Sequence, residues 1–538
     1  MAARLTTTLV LAGLALAVAA SSGAAASPTR APILGVVPHT VGQPAVAPHS
    51  LSKTVGVAAP ATLTFDASYV SVIDQYFTDV AHDSAGNQNV YSVATEYFDN
   101  PGAVHIQYQS TVGGSYIDTD PLPANGCNDN VDTYCLTDQQ LQDEIQTVLT
   151  AKGWQGGLDH IFFLMTPNGV GSCFNGVSGQ CSTDDFCAYH SAFTDSNSED
   201  VIYADEPYEG PDPQMGCADP TQGFPNDVDA DTTVNTISHE HNESITDPLG
   251  TGWLSNDPNA DENGDLCAFG FGTALGGTEG VDAYNQVINS HHYDLQQEYS
   301  NLVNGCIQHP GGVVSAPTSG SGPLAYNNGP VMHTNTTYAI YWLPTARNTT
   351  LPAVSGTAVV NKTLTTTAGS WAGGATAESD QWQRCSSKGE NCVDISGATA
   401  TTYKLTTDDG GHVVRSTVRA ANVNGTSAPA ASKATAVVVD VPVAGKAPHI
   451  SGRARVGKKL SGSHGSWTFA PTHYGYKWMR CNARGGSCSS IHHATHRTYK
   501  LTSRDAGHRL RLMITATNAA GSRVATSAAS ARVAAPTH

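Results

Sequence analysis

Positive charge is scarce in the first 350 residues, where 5 Lys and Arg stand against 38 Asp and Glu. No CxxC pair occurs among the 12 cysteines, which removes the usual spacing of thiolate zinc sites. Beyond the N-terminus no stretch reaches the roughly 18 apolar residues of a membrane helix, so no transmembrane segment is expected in the mature chain. A calcium-type loop starts with Asn259, Asp261, Asn263 and Asp265, but Gly270 stands where a complete EF-hand has its glutamate.

What is present begins with an export signal. Arg4, the apolar run Leu9 to Ala20 and the small residues Ala24 to Ala26 read as a signal peptide over 1–26. An exported chain with an even number of cysteines is expected to form disulfides. Cys127/Cys135, Cys385/Cys392 and Cys481/Cys488 are close enough for local bridges, while Cys173, Cys181, Cys187, Cys217, Cys267 and Cys306 leave several pairings open. Residues 27–62, rich in Ala, Pro, Val and His, read as a disordered linker.

From 63 to 309 helical and strand patterns interleave, as in a mixed α/β domain. "YVSVIDQYFTDVA" spaces its apolar residues as a helix over 69–81, and "LTDQQLQDEIQTVLTAKGW" predicts a second, capped by Thr137. "NVYSVATEYF", "AVHIQYQS", "LDHIFFLMTP" and "VIYADEPY" read as strands. Residues 310–326 have a linker composition. The segment 327–345 carries bulky apolar groups on both faces, Val331, Thr337, Ala339 and Tyr341 against Met332, Tyr338, Ile340 and Trp342. It is therefore expected to return to the interior of the α/β sheet.

The remainder repeats itself. Gly369-Ser370-Trp371, Trp382, Arg384, Cys385, Cys392, Tyr403, Asp409 and His412 recur 96 positions later as Gly465-Ser466-Trp467, Trp478, Arg480, Cys481, Cys488, Tyr499, Asp505 and His508. That period, with short Thr/Val-rich segments, predicts two immunoglobulin-like β-sandwiches over 351–440 and 446–534. Residues 446–538 hold 15 Lys and Arg against one acid, Asp505. This excess predicts an anionic cell-wall polymer or polysaccharide as the partner of the last repeat; no nucleic acid is expected.

One stretch concentrates chemistry: "TVNTISHEHNESITDP", 233–248. A helix starting near Thr232, capped by Asp229 or Asp231 and ended by Pro248, turns Val234, Ile237, His241 and Ile245 to the core. His239 and Glu243, four apart, then share another face, in an H-E-x-x-E relative of the zincin H-E-x-x-H. Imidazole and carboxylate would hold Zn2+, a bound water would become acidic, and Glu240 would take its proton as general base. Glu262, 23 residues after His239, is the first choice for third ligand, followed by Asp265 and Asp247. Asp227, Asp229 and Asp231 offer a structural Ca2+ site.

"YFTDVA…NVYSV", "DTDPLP", "FCAYH", "GCADP…PNDVDADTTVNTISHEHNESITDPLGTGW" and "AYNQVINSHHYDLQQEYSN" together resemble the secreted phosphate-induced (EXORDIUM-like) family, in its bacterial branch, over roughly Tyr69 to Cys306. The resemblance implies an extracellular, wall-associated protein. The family's opening "GGPV…YxxYW" segment has its counterpart here at "NNGPVMHTNTTYAIYWLP", after the acidic domain rather than before it. The expected protein is multidomain: an N-terminal mixed α/β zincin-like domain followed by two all-β immunoglobulin-like sandwiches. Its expected function is zinc-dependent hydrolysis of a protein or peptide by a secreted metallopeptidase anchored through its sandwiches. The alternative is a non-enzymatic matrix or wall protein binding calcium or glycans.

Overall fold

Short apolar runs flanked by turn residues build one six-stranded sheet with helices on both faces. The computed structural model describes residues 36–38 (backbone only), 63–99, 104–129, 132–174, 180–182, 186–208, 217, 219, 221–256 and 262–535. The expected signal peptide lies outside the described residues, as does most of the expected linker 27–62. Val36–Pro38 of that linker is instead an edge strand. The strands are β1 (Val36–Pro38), β2 (Ser110–Asp118), β3 (His160–Met165), β4 (Phe186–Thr194), β5 (Asp200–Glu206) and β6 (Asn335–Trp342), in the spatial order β1-β4-β5-β3-β6-β2. β5, β3, β6 and β2 are mutually parallel; β4 runs antiparallel to β5 and β1.

Helices α1 (Tyr69–His82) and α3 (Val228–Thr246) cover one face, and α2 (Asp138–Lys152) covers the other. In β3, Ile161, Phe163 and Met165 pack on the α1/α3 side and Phe162 and Leu164 on the α2 side, so the run is apolar throughout because both faces are covered. α2 begins with a Thr137–Gln140 capping box and ends at Gly153, whose φ of 69° suits glycine.

Residues 335–342 do return to this sheet, as β6 between β3 and β2. Tyr338, Ile340 and Trp342 face α2, while Ala339 and Tyr341 face α1 and α3. Met332 departs from the expected alternation and joins Val331 on the α1/α3 side, because it precedes the strand. The Tyr338 ring lies against Gly113 of β2, where an added Cβ would come within 2.3 Å of it.

Four local expectations are corrected. "NVYSVATEYF" is a buried 3-10 helix, Val90–Glu96, before a two-residue strand, since Val90 to Ala94 are all buried instead of alternating. In "AVHIQYQS" only Val104–His105 pairs, and the long strand starts at Ser110. Residues 310–326 are packed on the domain: Ser315 bridges Cys306, Thr318 N–H donates to Leu266 at 3.0 Å, and Ala325–Tyr326 pairs with Trp253–Leu254. The first sandwich starts before 351, because Arg347–Thr350 pairs with Ser370–Ala372. All three local disulfides form, and the open pairings resolve as Cys173–Cys181, Cys187–Cys217 and Cys267–Cys306, leaving no thiol for a metal.

Strand outweighs helix among the described residues, 36% to 14%, because both repeats are all-β. Each pairs a three-stranded sheet with a sheet built on two long strands, Ala377–Cys385 with Val413–Asn422 and His473–Cys481 with Arg509–Asn518. Trp382 and Trp478 are fully buried between the sheets. The recurring polar residues have one job. Arg384 Nε donates to Asp409 and Arg480 Nε to Asp505, each at 2.8 Å, while Tyr403 and Tyr499 donate to the second oxygens of the same carboxylates. Asp505 also caps the turn through the Thr502 amide at 2.7 Å.

Burial alone would raise the Asp505 pKa, but the Thr502 amide and Arg480 hold it below the ordinary carboxylate value. Its stabilisation is therefore present above the unfolded pKa of about 3.9 and is lost as pH falls through the folded one. Asp505→Ala is expected to cost the last repeat about 2–3 kcal/mol at pH 7, with the penalty shrinking in strong acid, as read by calorimetry of the variant across pH.

Candidate metal centre

α3 is polar along most of its length, yet every residue from 229 to 248 is buried. The expected start near Thr232 moves back one turn. Asp227 is the N-cap, accepting from Ala230 N–H at 3.1 Å. Asp231 accepts from the Asn226 and Asp227 amides, and Asp229 from Tyr208. The three aspartates offered for calcium thus hold the helix entrance. His241 is the core histidine expected, held between Tyr91 Oη at 3.1 Å and Asn335 Oδ1 at 3.0 Å and pushed down to about 4 by burial.

The helix lies across the sheet face that carries Ala188, His190 and Ala192 of β4 and Ala204 and Glu206 of β5; Ala192 and Ala204 share its core cluster. Its other side is closed by the loop 262–268 and the segment 294–300, joined through the Cys267–Cys306 disulfide. Gly264 brings that loop close: an added Cβ would stand 2.9 Å from Glu243 Oε1 and 3.0 Å from His239 Nδ1.

Between these layers two sets of donors meet. His239 Nε2 lies 2.9 Å from Glu243 Oε1 and 3.6 Å from Asp265 Oδ1. His190 Nδ1 lies 3.0 Å from Glu240 Oε2 and 3.7 Å from Glu243 Oε2. Each triad keeps its ligand atoms within 4.8 Å of one another. The His239–Glu243 approach lacks hydrogen-bond geometry, and His239 Nε2, Glu240 Oε1, Glu243 Oε2 and both oxygens of Glu262 have no hydrogen-bond partner at all. Atoms about 3 Å apart that point past each other are placed as neighbouring ligands of one ion are, with bonds near 2.1 Å.

The electrostatics are one-sided. Glu206, Glu240, Glu243, Glu262 and Glu298 are buried with Asp247 and Asp265. Burial, reinforced by neighbouring carboxylates, holds Glu240 and Glu262 well above the usual range; burial also raises Glu243, to about 7, against the pull of His239. His190 is driven down to about 3 by burial, so it is neutral. For His239 burial acts downward, but Glu243, Asp265 and Glu240 outweigh it and hold the imidazole well above its usual value. Among the described residues of 63–350 the basic side chains are Lys152, 3.3 Å over the Tyr116 ring, and Arg347 on a strand of the first sandwich. Neither forms an ion pair with the cluster.

Of the residues expected at the site, His239, Glu240, Glu243 and Asp265 converge. Glu262, the first choice for third ligand, is buried beside them but lies 3.8 Å from the other nitrogen of His190, Nε2, and Asp265 takes the place next to His239. The reason is the turn at 262–268, where Asp265 N–H donates to Glu243 Oε1 at 2.9 Å and draws that carboxylate in. Asp247 is the helix C-cap and spends Oδ1 on the Thr251 and Gly252 amides. Sequence reasoning missed His190. Its signal was a lone histidine between Ala188 and Ala192 on the inward alternation of an otherwise buried strand. It also missed Gln296, whose amide nitrogen lies 2.8 Å from His239 Nδ1, Glu206, which accepts from Thr236 of the helix, and Glu298, which accepts from Asn263.

No protein-family model and no curated relative matches the chain. Solved structures with a likeness include the FN1–FN3 domains of chicken CNTN1, at 14% identity and a TM-score of 0.21 over 35% of this chain and 67% of that one. The N-terminal four Ig domains of Dscam1 isoform 7.44 follow at 12% identity and a TM-score of 0.17, over 40% of this chain and 51% of that one. The match thus spans about half of the Dscam1 chain. At those scores neither carries an argument about fold or activity.

Glu243→Gln tests the charge imbalance, because the amide oxygen can still accept from Asp265 N–H. In chelator the variant is expected to be more stable than the parent by about 1–3 kcal/mol, since one buried charge is gone. With zinc at a hundred times its Kd, the parent should gain about 2.7 kcal/mol and the variant little, as read from thermal midpoints with and without metal.

Proposed function

We propose that the chain is a secreted zinc-dependent hydrolase, most simply a metallopeptidase, with a zincin-like, EXORDIUM-related α/β domain and immunoglobulin-like sandwiches that hold it to the cell wall. The observation that carries the reading is the 2.9 Å approach of His239 Nε2 to Glu243 Oε1 without hydrogen-bond geometry, beside Asp265 and beneath Glu240. Zinc held by His239, Glu243 and Asp265 would polarise a substrate carbonyl and make water acidic near neutral pH. Binding through Nε2 requires the proton on Nδ1, and the Gln296 amide nitrogen now beside it, which also donates to the Gly264 carbonyl at 3.2 Å, would have to turn away.

The other side chains have separable tasks. Glu240 has Oε1 without a partner, and burial holds its pKa above the ordinary carboxylate value, which favours its taking up a proton. His190 steadies its Oε2 from the sheet side. Six disulfides, the signal-like N-terminus and the absence of a described helix long and apolar enough to cross a membrane support export.

Glu240→Gln is expected to retain at least one equivalent of zinc and to lose cleavage of an unfolded polypeptide substrate by about 10²–10⁴-fold in kcat. Unchanged cleavage would remove Glu240 as the base, and no cleavage by the zinc-loaded parent would remove the hydrolase reading and leave the non-enzymatic matrix protein.

The anchoring part rests on the last repeat, where Lys446, Arg453, Lys458, Lys459, Arg484, Arg497 and Lys500 are exposed and Asp505, the single acid, is buried under Arg480. The full chain is expected to sediment with an anionic wall polymer at low salt and to be released as the Debye length falls toward about 3 Å near 1 M salt. Retention at high salt would exclude a charge-based anchor.

A further inference from the structure

Glu243 faces two ways. Its Oε1 belongs with His239 and Asp265, and its Oε2 is turned toward His190 at 3.7 Å and has no hydrogen-bond partner. The donors do not merge into a single set: His239–Glu243–Asp265 and His190–Glu240–Glu243 each close within 4.8 Å, and the carboxylate of Glu243 is what they share. A carboxylate with one oxygen in each of two ligand sets is the arrangement that bridges two ions about 3.5–4 Å apart.

His190 gives an independent reason. Oxygens stand against both of its nitrogens. Nδ1 meets Glu240 Oε2 at 3.0 Å and Glu243 Oε2 at 3.7 Å, while Nε2 meets the Asp247 carbonyl at 3.4 Å and Glu262 Oε1 at 3.8 Å. A neutral imidazole has one N–H, so one nitrogen must turn its lone pair toward oxygen. If Nε2–H donates to the Asp247 carbonyl, the common orientation for a metal-bound histidine, the lone pair of Nδ1 points at the two glutamates. A cation at Nδ1 would fit that orientation, whereas without one the other tautomer donates Nδ1–H to Glu240 Oε2 and turns the Nε2 lone pair toward the Asp247 carbonyl.

The charge balance points the same way. Glu240, Glu243, Glu262 and Asp265 present four carboxylates to the site, with Glu206 and Glu298 behind them and no Lys or Arg in contact. One divalent ion would compensate two of these carboxylates, and a second would allow the other two to ionise as well.

We infer that the site holds two divalent cations bridged by Glu243, one on His239 and Asp265 and a second on His190 and Glu240. The inference rests on the metal-hydrolase reading and extends it. His190 becomes a ligand, and Glu240 binds through Oε2 while keeping Oε1 free. Imidazole and carboxylate donors in this mixture suit zinc or manganese.

Elemental analysis of the full chain tests this after loading with Zn2+ and removal of free metal. Two equivalents are expected in the parent and one in His190→Ala, with that remaining ion lost in a His190→Ala/His239→Ala double variant. Near-ultraviolet circular dichroism of each variant verifies the fold, and His190→Gln serves as a second variant if His190→Ala does not fold. One equivalent in the parent overturns the second site and leaves the single-zinc reading standing. Two equivalents in both the parent and the folded His190 variant place the second ion elsewhere and overturn it as well. No bound metal in the parent overturns both readings.

Discussion

A group of buried carboxylates with no basic side chain to meet them is the constraint on which the α/β domain turns. Moving one unpaired carboxylate out of water costs several kcal/mol even after relaxation, and marginal stability leaves little room for several. Glu206, Glu240, Glu243, Glu262 and Glu298 are all buried, and His239 supplies the nearest positive charge. Such a centre persists only with protons or cations in it. On the proposed reading, metal content and folding stability would be two views of the same property.

The sheet and its covering loops serve that centre. The small residues Ala188, Ala192 and Ala204 keep the α3 side of β4 and β5 low, so the helix sits close and His190 reaches its glutamates. On the far side, Gly264 lets the loop touch His239 and Glu243, and the Cys267–Cys306 disulfide ties that loop to the strand after Glu298. A bridge closing a loop of that size constrains the unfolded chain by roughly 3–4 kcal/mol. The late strand β6 fills the sheet interior, and Asn335 at its start holds His241, so a segment distant in sequence fixes the back of the helix.

Much of this was legible in the sequence wherever a period carried it. α1, α2, β3 and the two repeats follow from apolar spacing, and the return of 335–342 follows from bulky groups on both of its faces. The failures have physical causes too. "NVYSVATEYF" is buried on consecutive residues, so alternation misled. The 310–326 segment has a linker's composition but is held by backbone hydrogen bonds, which composition does not encode. At the site the helical pair His239 and Glu243 was readable from spacing of four, and Glu240 with it. His190 was not, because its place is set by strand pairing with Ala204 and not by any local pattern. The choice of Asp265 over Glu262 depends on one backbone amide, from Asp265 to Glu243, that no spacing rule anticipates.

The direction of α3 supplies the last step. A helix favours negative charge at its N-terminus and positive charge at its C-terminus. The first turn obeys, with Asp227 and Asp231 holding backbone amides and Asp229 accepting from Tyr208. The last turn does the opposite, placing Glu243 and the C-cap Asp247 where the helix carbonyls already make the potential negative, with Glu240 one turn earlier. Helix stability gains nothing from that placement, and burial makes it worse. A cation bound at that end is favoured by the carboxylates and by the helix together. The residues least explained by folding alone are thus the ones on which the proposed metal site rests.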